Sequence, residues 1–406
     1  MKTIFLTRFR PDAIDGGSAL RNRQNIFGLG KSGPVDVVSI GADGEAKPLE
    51  GVRNWTHFSL REALAGRSRG ERVRRRLWRL RAGAHPVLEQ YLHERVARFL
   101  EDVVNRERYD VAVVSEVFLA SYLPLFRRLG CKVVFDCHNI ESALATDVDA
   151  ARSKRAPLGY RLSVGLLQRR MHASERQAAR DADVVWACSE ADARGLEELF
   201  GLSKRVAVVP NGVDVSGYAP PEGTDASAWS RSVVTLLYPG TFSYFPNEDA
   251  AMRLIDEVLP ALRARGREAR VLLVGRSPTA AMLAAAKRDP GVIVTGPVAS
   301  VLPYFHRPAV VTLPIRVGSG TRLKVLEAYA ARCPVVSTAK GVEGISGRDG
   351  EHHFVREDGV GTAEAVLRLW DDEGLRGTLT ANAAELVERD YSRDAAVRRI
   401  AESLAN

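Results

Sequence analysis

The feature that most limits the fold of this chain is the regular alternation of strand-sized apolar runs with longer amphipathic stretches. In the first half, the runs that predict buried strands are Thr3–Phe9, Val35–Ile40, Asp110–Ser115, Lys132–Asp136, Val184–Ala187 and Val206–Val209. The stretches that predict helices are Ala19–Gly30, Arg72–Glu107, Leu158–Ala182 and Glu190–Phe200. Such alternation indicates a parallel sheet with helices on both faces.

A polar segment rich in turn-forming residues, Pro210–Ser232, interrupts this pattern. Beyond it the predicted strands are Val233–Tyr238, Arg270–Val274, Val292–Val294, Val310–Leu313 and Val335–Ser337. The predicted helices are Glu248–Arg265, Thr279–Arg288, Arg322–Ala331 and Gly361–Trp370. We therefore expect an α/β protein with two doubly wound parallel-sheet domains, over 1–210 and 211–388, whose ligand loops face a shared crevice.

Two further helical stretches, Arg376–Arg389 and Asp394–Leu404, have no strand partners. We expect them to pack across the domain junction, with 389–406 as a separate C-terminal helix.

The composition is typical of a folded globular protein, since 45% of the 406 residues are apolar and 27% are charged. No apolar run approaches the roughly 20 residues that a membrane-spanning helix needs, and Met1–Arg8 lacks the features of a signal peptide. We expect a cytoplasmic location, peripheral at most at the inner face of the membrane. The net charge of +8 favours an anionic partner, but charge alone does not choose among a nucleotide diphosphate, a membrane and a nucleic acid.

The four cysteines have neither the density of a disulfide scaffold nor the paired spacing of a zinc site. They are Cys131, Cys137, Cys188 and Cys333. We interpret them as thiols in or near the core.

The most informative segment runs from Leu313 to Ala330, where a buried strand, a glycine-containing loop and a helix follow one another. We expect the helix to begin near Thr321, which places unpaired amides and a positive dipole end next to the loop. Gly318 and Gly320 allow close approach of the backbone to a phosphate. Arg322 and Lys324 can add charge-assisted hydrogen bonds, so the segment predicts an anion site.

Glu327 lies about two turns into the same helix, where its carboxylate can accept hydrogen bonds from both hydroxyls of a ribose. One element would then bind the diphosphate and the ribose of a nucleotide. The alternative is an ordinary glycine loop with a solvated helix, because such loops are common.

This segment resembles the donor site of the GT-B glycosyltransferases of family 4, whose motif has two glutamates separated by seven residues. The second glutamate falls on Glu327, whereas Ser319 stands in place of the first. The form Gly-x-Gly-Thr-Arg-x-Lys-x-Leu-Glu is familiar from a branch of that family, so the departure affects the inferred sugar more than the inferred nucleotide. The resemblance assigns the whole loop, including Ser319 and Thr321, to the donor.

Other motifs of that family follow in the same order along the chain. Val209–Asp214 resembles its junction motif, and Tyr238–Phe242, continued by Pro246-Asn247, resembles the first strand and loop of its nucleotide-binding domain. Leu273–Gly275 and Val294–Val298 occupy the places of the base and phosphate region. The resemblance implies donor-binding roles for Gly240, Thr241, Gly275 and Val298.

His138 follows a buried strand, Lys132–Phe135, and is expected at the edge of the N-terminal sheet, where it can reach a reacting sugar. The alternative is a histidine satisfied by backbone groups. Similarity to the family's strand-then-histidine loop favours the first interpretation and implies a hydrogen bond from His138 to the donor sugar near its anomeric end.

Two further positions on the N-terminal side are candidates. Gly17 lies between the first strand and a helix, in a loop that is either a turn capped by Ser18 or, as the family implies, a part of the donor site. Glu116 follows another strand and is an acceptor-side candidate by position.

The segment Arg67–Arg81 holds eight arginines among fifteen residues. As an amphipathic helix it could bind anionic lipid or an anionic acceptor. A solvated basic face is favoured instead, because the apolar residues of the segment are few. At most, we expect salt-sensitive binding to anionic vesicles. The acidic triplet Asp147–Asp149 resembles the metal site of GT-A glycosyltransferases by composition only, and we expect no metal ion and no cofactor.

The resemblance implies a retaining transferase that moves a sugar from a nucleoside-diphosphate sugar, preferably a UDP-sugar, to an acceptor hydroxyl, with no nucleic acid as partner. On this view His138, Arg322 and Lys324 are catalytic. Polysaccharide, glycolipid and natural-product glycoside remain open as product classes. Two rivals are a noncatalytic sugar- or nucleotide-binding protein and a nicotinamide-dependent oxidoreductase, although the latter would need a Gly-x-Gly-x-x-Gly turn after the first strand.

Overall fold

The computed structural model describes residues 1–12, 16–44, 49–61, 68–144, 158–202, 206–219, 229, 233–318 and 320–405. It divides into two compact units, one of Met1–Asn211 with Ala396–Asn406 and one of Gly212–Ala395. Each is built around a parallel sheet, so the predicted fold class of two doubly wound α/β domains is confirmed.

The described residues of the first unit form seven parallel strands in the order β3-β2-β1-β4-β5-β6-β7. They are β1 (Thr3–Thr7), β2 (Val35–Gly41), β3 (Asn54–Ser59), β4 (Val111–Ser115), β5 (Lys132–Asp136), β6 (Val184–Ala187) and β7 (Ala207–Val208). All residues of β1, β2 and β4 are buried, because helices cover both faces of the sheet. The strand order reverses between β1 and β4, so the loops that follow these two strands flank a switch point of the kind at which α/β proteins bind ligands.

The helices of the first unit are α1 (Gly17–Gly30), α2 (Arg69–Ala82), α3 (Pro86–Tyr91), α4 (Glu94–Glu107), α5 (Leu123–Arg128), α6 (Leu158–Asp181) and α7 (Glu190–Phe200), with a 3-10 helix at Val117–Tyr122. The prediction of a single helix over Arg72–Glu107 is wrong. Helix α2 ends at Ala82, and the next residue, Gly83, has a φ of 59°, in the left-handed region that glycine favours. Pro86 then starts α3, because proline fits the first turn of a helix and not its interior.

In the second unit, the part of the chain that the structure describes forms six parallel strands in the order β10-β9-β8-β11-β12-β13. They are β8 (Val234–Pro239), β9 (Ala269–Val274), β10 (Val292–Val294), β11 (Val310–Leu313), β12 (Val335–Ser337) and β13 (Phe354–Val355). Here the order reverses between β8 and β11, which places a second switch point at the loops after these strands.

The helices of the second unit are α8 (Val215–Tyr218), α9 (Phe245–Arg253), α10 (Leu259–Arg263), α11 (Ala280–Arg288), α12 (Leu302–Phe305), α13 (Leu323–Ala330), α14 (Gly359–Asp371) and α15 (Glu373–Tyr391). The predicted helix Glu248–Arg265 is interrupted by a π-helical segment, Leu254–Val258.

The C-terminal part of the chain returns to the first unit. Helix α15 contributes Leu379, Ala383 and Leu386 to the core of the second unit. The last helix, α16 (Arg393–Ala405), places Ile400 in the core of the first unit. None of the helices within the described ranges is long and apolar enough to cross a membrane.

Candidate functional site

The loops after β8 and β9 touch each other at two glycines that the sequence assigned to the donor site. Gly275 has a φ of 144°, and a Cβ atom there would clash with the carbonyl oxygen of Gly240. The Gly240 amide donates to the Val274 carbonyl at 2.9 Å. Glycine is therefore needed for the close approach of these two loops.

The loop after β11 folds around an arginine. Gly318 and Gly320 have φ values of 129° and 75°, and the Arg322 guanidinium donates to the Gly320 carbonyl at 2.9 Å. A Cβ on Gly318 would lie 2.8 Å from Nη2 of Arg322. Helix α13 begins at Leu323, just after the predicted start at Thr321 or Arg322, because Arg322 has an extended backbone and precedes the helix as its N-cap.

The groups that Lys324 contacts directly, at the start of α13, are neutral. Its Nζ donates to Oδ1 of Asn247 at 2.9 Å and lies 4.1 Å from the centroid of the Tyr238 ring. Burial, followed by the nearby Arg322 charge, lowers the pKa of Lys324 to about 7, against the opposing effect of Glu327. A bound anion would therefore stabilise the protonated form of this side chain.

Asn247 connects these loops, and sequence reasoning gave it no role of its own. Its Oδ1 accepts from the Tyr238 hydroxyl at 2.8 Å as well as from Lys324, and its Nδ2 donates to the Thr241 carbonyl at 2.9 Å. The signal was present in the Pro246-Asn247 pair of the quoted motif, but Lys324, the partner that joins Asn247 to the anion site, is 77 residues away in sequence.

Glu327 lies on α13 beside Tyr218, a second residue that the sequence did not reveal. The Tyr218 hydroxyl donates to Oε1 of Glu327 at 2.8 Å. Burial raises the pKa of Glu327, while the hydrogen bond from Tyr218 and the Lys324 charge oppose that rise. Tyr218 is itself held by His306, whose Nε2 donates to the Tyr218 carbonyl at 3.1 Å.

The remaining predicted donor residues differ in position. Thr321 is buried next to Arg322. Val298 packs against the core and follows β10, which β9 separates from β8, so it lies at the margin of this group. Ser319 and the Asp147–Asp149 triplet lie outside the described residues.

In the first unit, His138 follows β5 and is almost fully buried. Its Nε2 lies 3.0 Å from Oδ2 of Asp136 and 3.2 Å from the Ser115 hydroxyl. Because a carboxylate only accepts hydrogen bonds, Nε2 carries a proton. Nδ1 is buried with no hydrogen-bond partner in the described part of the chain and lies 3.6 Å from Glu116.

Asp136 is fixed by groups from α1. Arg21 forms a buried ion pair with Oδ1 at 2.6 Å, and Asn25 donates to Oδ2 at 2.8 Å. Burial by itself would raise the pKa of Asp136, but Arg21 and His138 outweigh it and lower the pKa to about 2. The carboxylate that orients His138 is thus held ionised.

Glu116 is also buried and paired. Arg8 binds both of its oxygens, at 2.5 and 3.1 Å, and the Ser18 hydroxyl donates to Oε1 at 3.2 Å. Its φ of 67° is rare for a residue with a side chain, which indicates that its surroundings impose this conformation. Ser18 does not cap α1; Gly17 is the first residue of that helix.

Glu175 of α6 was missed by sequence reasoning. Its carboxylate accepts from the backbone amides of Glu141 and Ser142, immediately after the His138 loop. Burial raises its pKa to about 7. All four cysteines are buried and free, as interpreted from the sequence.

Two family models match the chain. The model described as Glycosyl transferase 4-like domain matches residues 31–212, and the model described as Glycosyl transferases group 1 matches residues 233–372. The D-inositol 3-phosphate glycosyltransferase of Kineococcus radiotolerans is 27% identical over 244 residues, which are 52% of this chain and 54% of that protein. The match therefore spans about half the length of that relative.

Solved structures resemble the chain over its whole length at low sequence identity. Sucrose-phosphate synthase from Thermosynechococcus elongatus is 16% identical with a TM-score of 0.72, covering 99% of this chain and 98% of its own. HepE of Anabaena, solved in complex with UDP, is 15% identical with a TM-score of 0.70, covering both chains completely.

Proposed function

Since this chain belongs to the group 1 glycosyl transferases and has the fold of the GT-B glycosyltransferases, we propose that it transfers a sugar from a UDP-sugar to an acceptor hydroxyl with retention of anomeric configuration. The observation that carries the proposal is the pair of cations, Arg322 and Lys324, beside the glycine loop that ends β11. HepE, a structural relative, has been solved with UDP and with UDP-glucose, which supports uridine as the base.

In this proposal the diphosphate lies against Gly318, Gly320 and the start of α13. The two glycines leave room for phosphate oxygens, and the cations neutralise their charge. Lys324 then exchanges part of its contact with the neutral Asn247 amide for an anionic oxygen.

Glu327 binds the ribose hydroxyls. The hydrogen bond from Tyr218 occupies Oε1 and orients the carboxylate, and within the described residues no other side chain donates to Glu327. Oε2 is therefore the oxygen that accepts from the ribose.

Catalysis follows from charge that grows on the departing diphosphate as the bond to the anomeric carbon breaks. Arg322 and Lys324 stabilise that charge, and groups positioned in advance at such sites contribute about 3 kcal/mol each. The diphosphate oxygen accepts the proton of the attacking hydroxyl as the hydroxyl oxygen bonds to the anomeric carbon, and the scheme uses no covalent nucleophile. This scheme uses no metal ion.

His138 orients the donor sugar near its anomeric carbon. Asp136 fixes the ring through Nε2, which leaves Nδ1 to accept a hydrogen bond from a sugar hydroxyl. Glu116, 3.6 Å from this nitrogen, belongs to the acceptor side. The acceptor is a polysaccharide, a glycolipid or a natural product.

A thermal-shift panel of nucleoside diphosphates tests the donor. UDP should raise the melting temperature in proportion to the logarithm of its concentration, and ADP and GDP should do so less. Product formation from labelled UDP-glucose then separates transfer from binding, and an excess of EDTA should leave the rate unchanged.

The Glu327→Ala variant tests the ribose contact. It should lose the UDP-induced shift, measured against its own unliganded melting temperature, because the ribose hydroxyls lose their acceptor. The Glu364→Ala variant, which removes an exposed carboxylate paired with Arg265 in the same unit, is the control. A full UDP response in Glu327→Ala would contradict the assignment.

A further inference from the structure

Helix α2 presents an apolar stripe to solvent. Val73, Leu77 and Leu80 are spaced by four and three residues, so they share one face of the helix. Their exposed fractions are 58%, 45% and 57%. The opposite face, with buried Arg75 and half-buried Trp78, packs against the protein.

Arginines border this stripe on both sides. Arg69, Arg72, Arg76 and Arg81 are exposed, and none of them forms an ion pair with any residue that the structure describes. By helical spacing, Arg69 and Arg76 lie on one side of the stripe and Arg81 on the other.

The acidic residues described near α2 have partners other than the four exposed arginines. Glu94 pairs with Arg74 at 2.5 Å, and Glu89 pairs with Arg79 at 2.9 Å. The Glu71 carboxylate accepts a hydrogen bond from the Glu94 backbone amide at 3.4 Å. Among the described residues of α2, the solvent-facing side therefore combines three apolar side chains with arginines that have no acidic partner.

We propose that this face of α2 docks on an anionic lipid surface. Val73, Leu77 and Leu80 insert at the level of the acyl chains, and the four arginines bind lipid phosphates on either side. Arginine suits this arrangement because its aliphatic stem lies along apolar surface while the guanidinium remains with the headgroups.

The apolar centre distinguishes this partner from a nucleic acid. A nucleic-acid backbone would pair with the arginines but would leave the three aliphatic side chains in water. The sequence favoured a solvated basic face because the apolar residues are few, whereas the structure shows that these few share one exposed side.

Co-sedimentation of the full chain with vesicles tests the proposal. Vesicles of phosphatidylglycerol mixed equally with phosphatidylcholine should pellet the protein, and pure phosphatidylcholine should not. The triple variant with Val73→Ser, Leu77→Ser and Leu80→Ser should partition about tenfold or more less strongly onto these vesicles. The quadruple variant with Arg69→Gln, Arg72→Gln, Arg76→Gln and Arg81→Gln should show a similar loss.

The matched control is Leu283→Ser with Val360→Ser, which removes two exposed apolar side chains from helices of the second unit. This control should pellet like the unaltered chain. The serine, glutamine and control variants should all have the melting temperature of the unaltered chain. Equal losses in the control, or failure of the unaltered chain to pellet, would overturn the proposal. Normal pelleting of the serine variant would contradict the insertion of α2 and indicate a solvated basic face. Binding to duplex DNA but not to vesicles would also overturn the proposal and identify a nucleic acid as the partner.

Discussion

At the carboxyl edge of the first sheet the charged groups are paired with one another, whereas at the same edge of the second sheet Lys324 is paired with a neutral amide. Asp136 forms an ion pair with Arg21, and Glu116 forms one with Arg8, both at hydrogen-bond distance. Lys324 donates to Asn247 and lies over the Tyr238 ring.

The difference separates two uses of charge. Ion pairs around His138 cancel within the protein, so they hold an imidazole in place and gain little from a charged ligand. A cation with neutral partners gains most when an anion arrives. The first edge is therefore built for orientation, and the second for binding a diphosphate.

The largest effect should come from breaking the paired edge. Arg21→Met leaves the buried Asp136 charge uncompensated, and we expect a loss of about 3–5 kcal/mol in the free energy of unfolding. Hydrogen exchange of β1 and β4 amides measures this loss locally. Arg128→Met, which breaks an exposed pair with Glu101, should cost less than about 1 kcal/mol; equal costs would show that the buried pair has no special role.

Removing the oriented imidazole should affect turnover. His138→Ala is expected to lower kcat by about 100-fold, because one transition-state hydrogen bond is lost, with KM for the donor nearly unchanged. Steady-state kinetics at saturating acceptor provides the measurement. A rise in KM with unchanged kcat would place His138 in ground-state binding instead.

Removing the cation should affect affinity. Lys324→Met is expected to weaken UDP binding by about 10- to 100-fold, the usual value of a hydrogen bond to a charged group. Isothermal titration calorimetry measures the change, and His138→Ala is the comparison that should bind UDP normally. If both variants bound UDP equally well, the contrast between the two edges would fail.

The smallest effect should be a pH dependence of donor affinity. The pKa of Lys324 is about 7 in the unliganded protein. Above this pH the amine must therefore take up a proton before it can form an ion pair with the diphosphate. Affinity for UDP-glucose, whose diphosphate does not titrate in this range, should fall as pH rises from 7 to 8.5, by at most about tenfold per pH unit. Lys324→Met should show a flat profile, and a flat profile in the unaltered chain would contradict the lowered pKa.

Much of the fold could be predicted because buried parallel strands are continuous apolar runs. Lys132–Asp136, Val292–Val294 and Val310–Leu313 were predicted with the bounds that the structure has. The half-exposed edge strand Asn54–Ser59 escaped notice because its mixed polar and aromatic residues give no such run. Phe354–Val355 is too short to give a pattern of its own.

The sequence alone determined the two α/β domains and the glycine loop followed by Arg322, Lys324 and Glu327, because local spacing and side-chain chemistry are written along the chain. Only the tertiary structure decided that Asn247 contacts Lys324 and that Tyr218 contacts Glu327. It also decided that Arg21 stabilises the ionised form of Asp136 beside His138. Those pairs join residues as much as 115 positions apart, and their strength depends on burial, which no local pattern encodes. The same reason explains α2: its composition was visible, but which of its faces meets water depends on the packing of the rest of the unit.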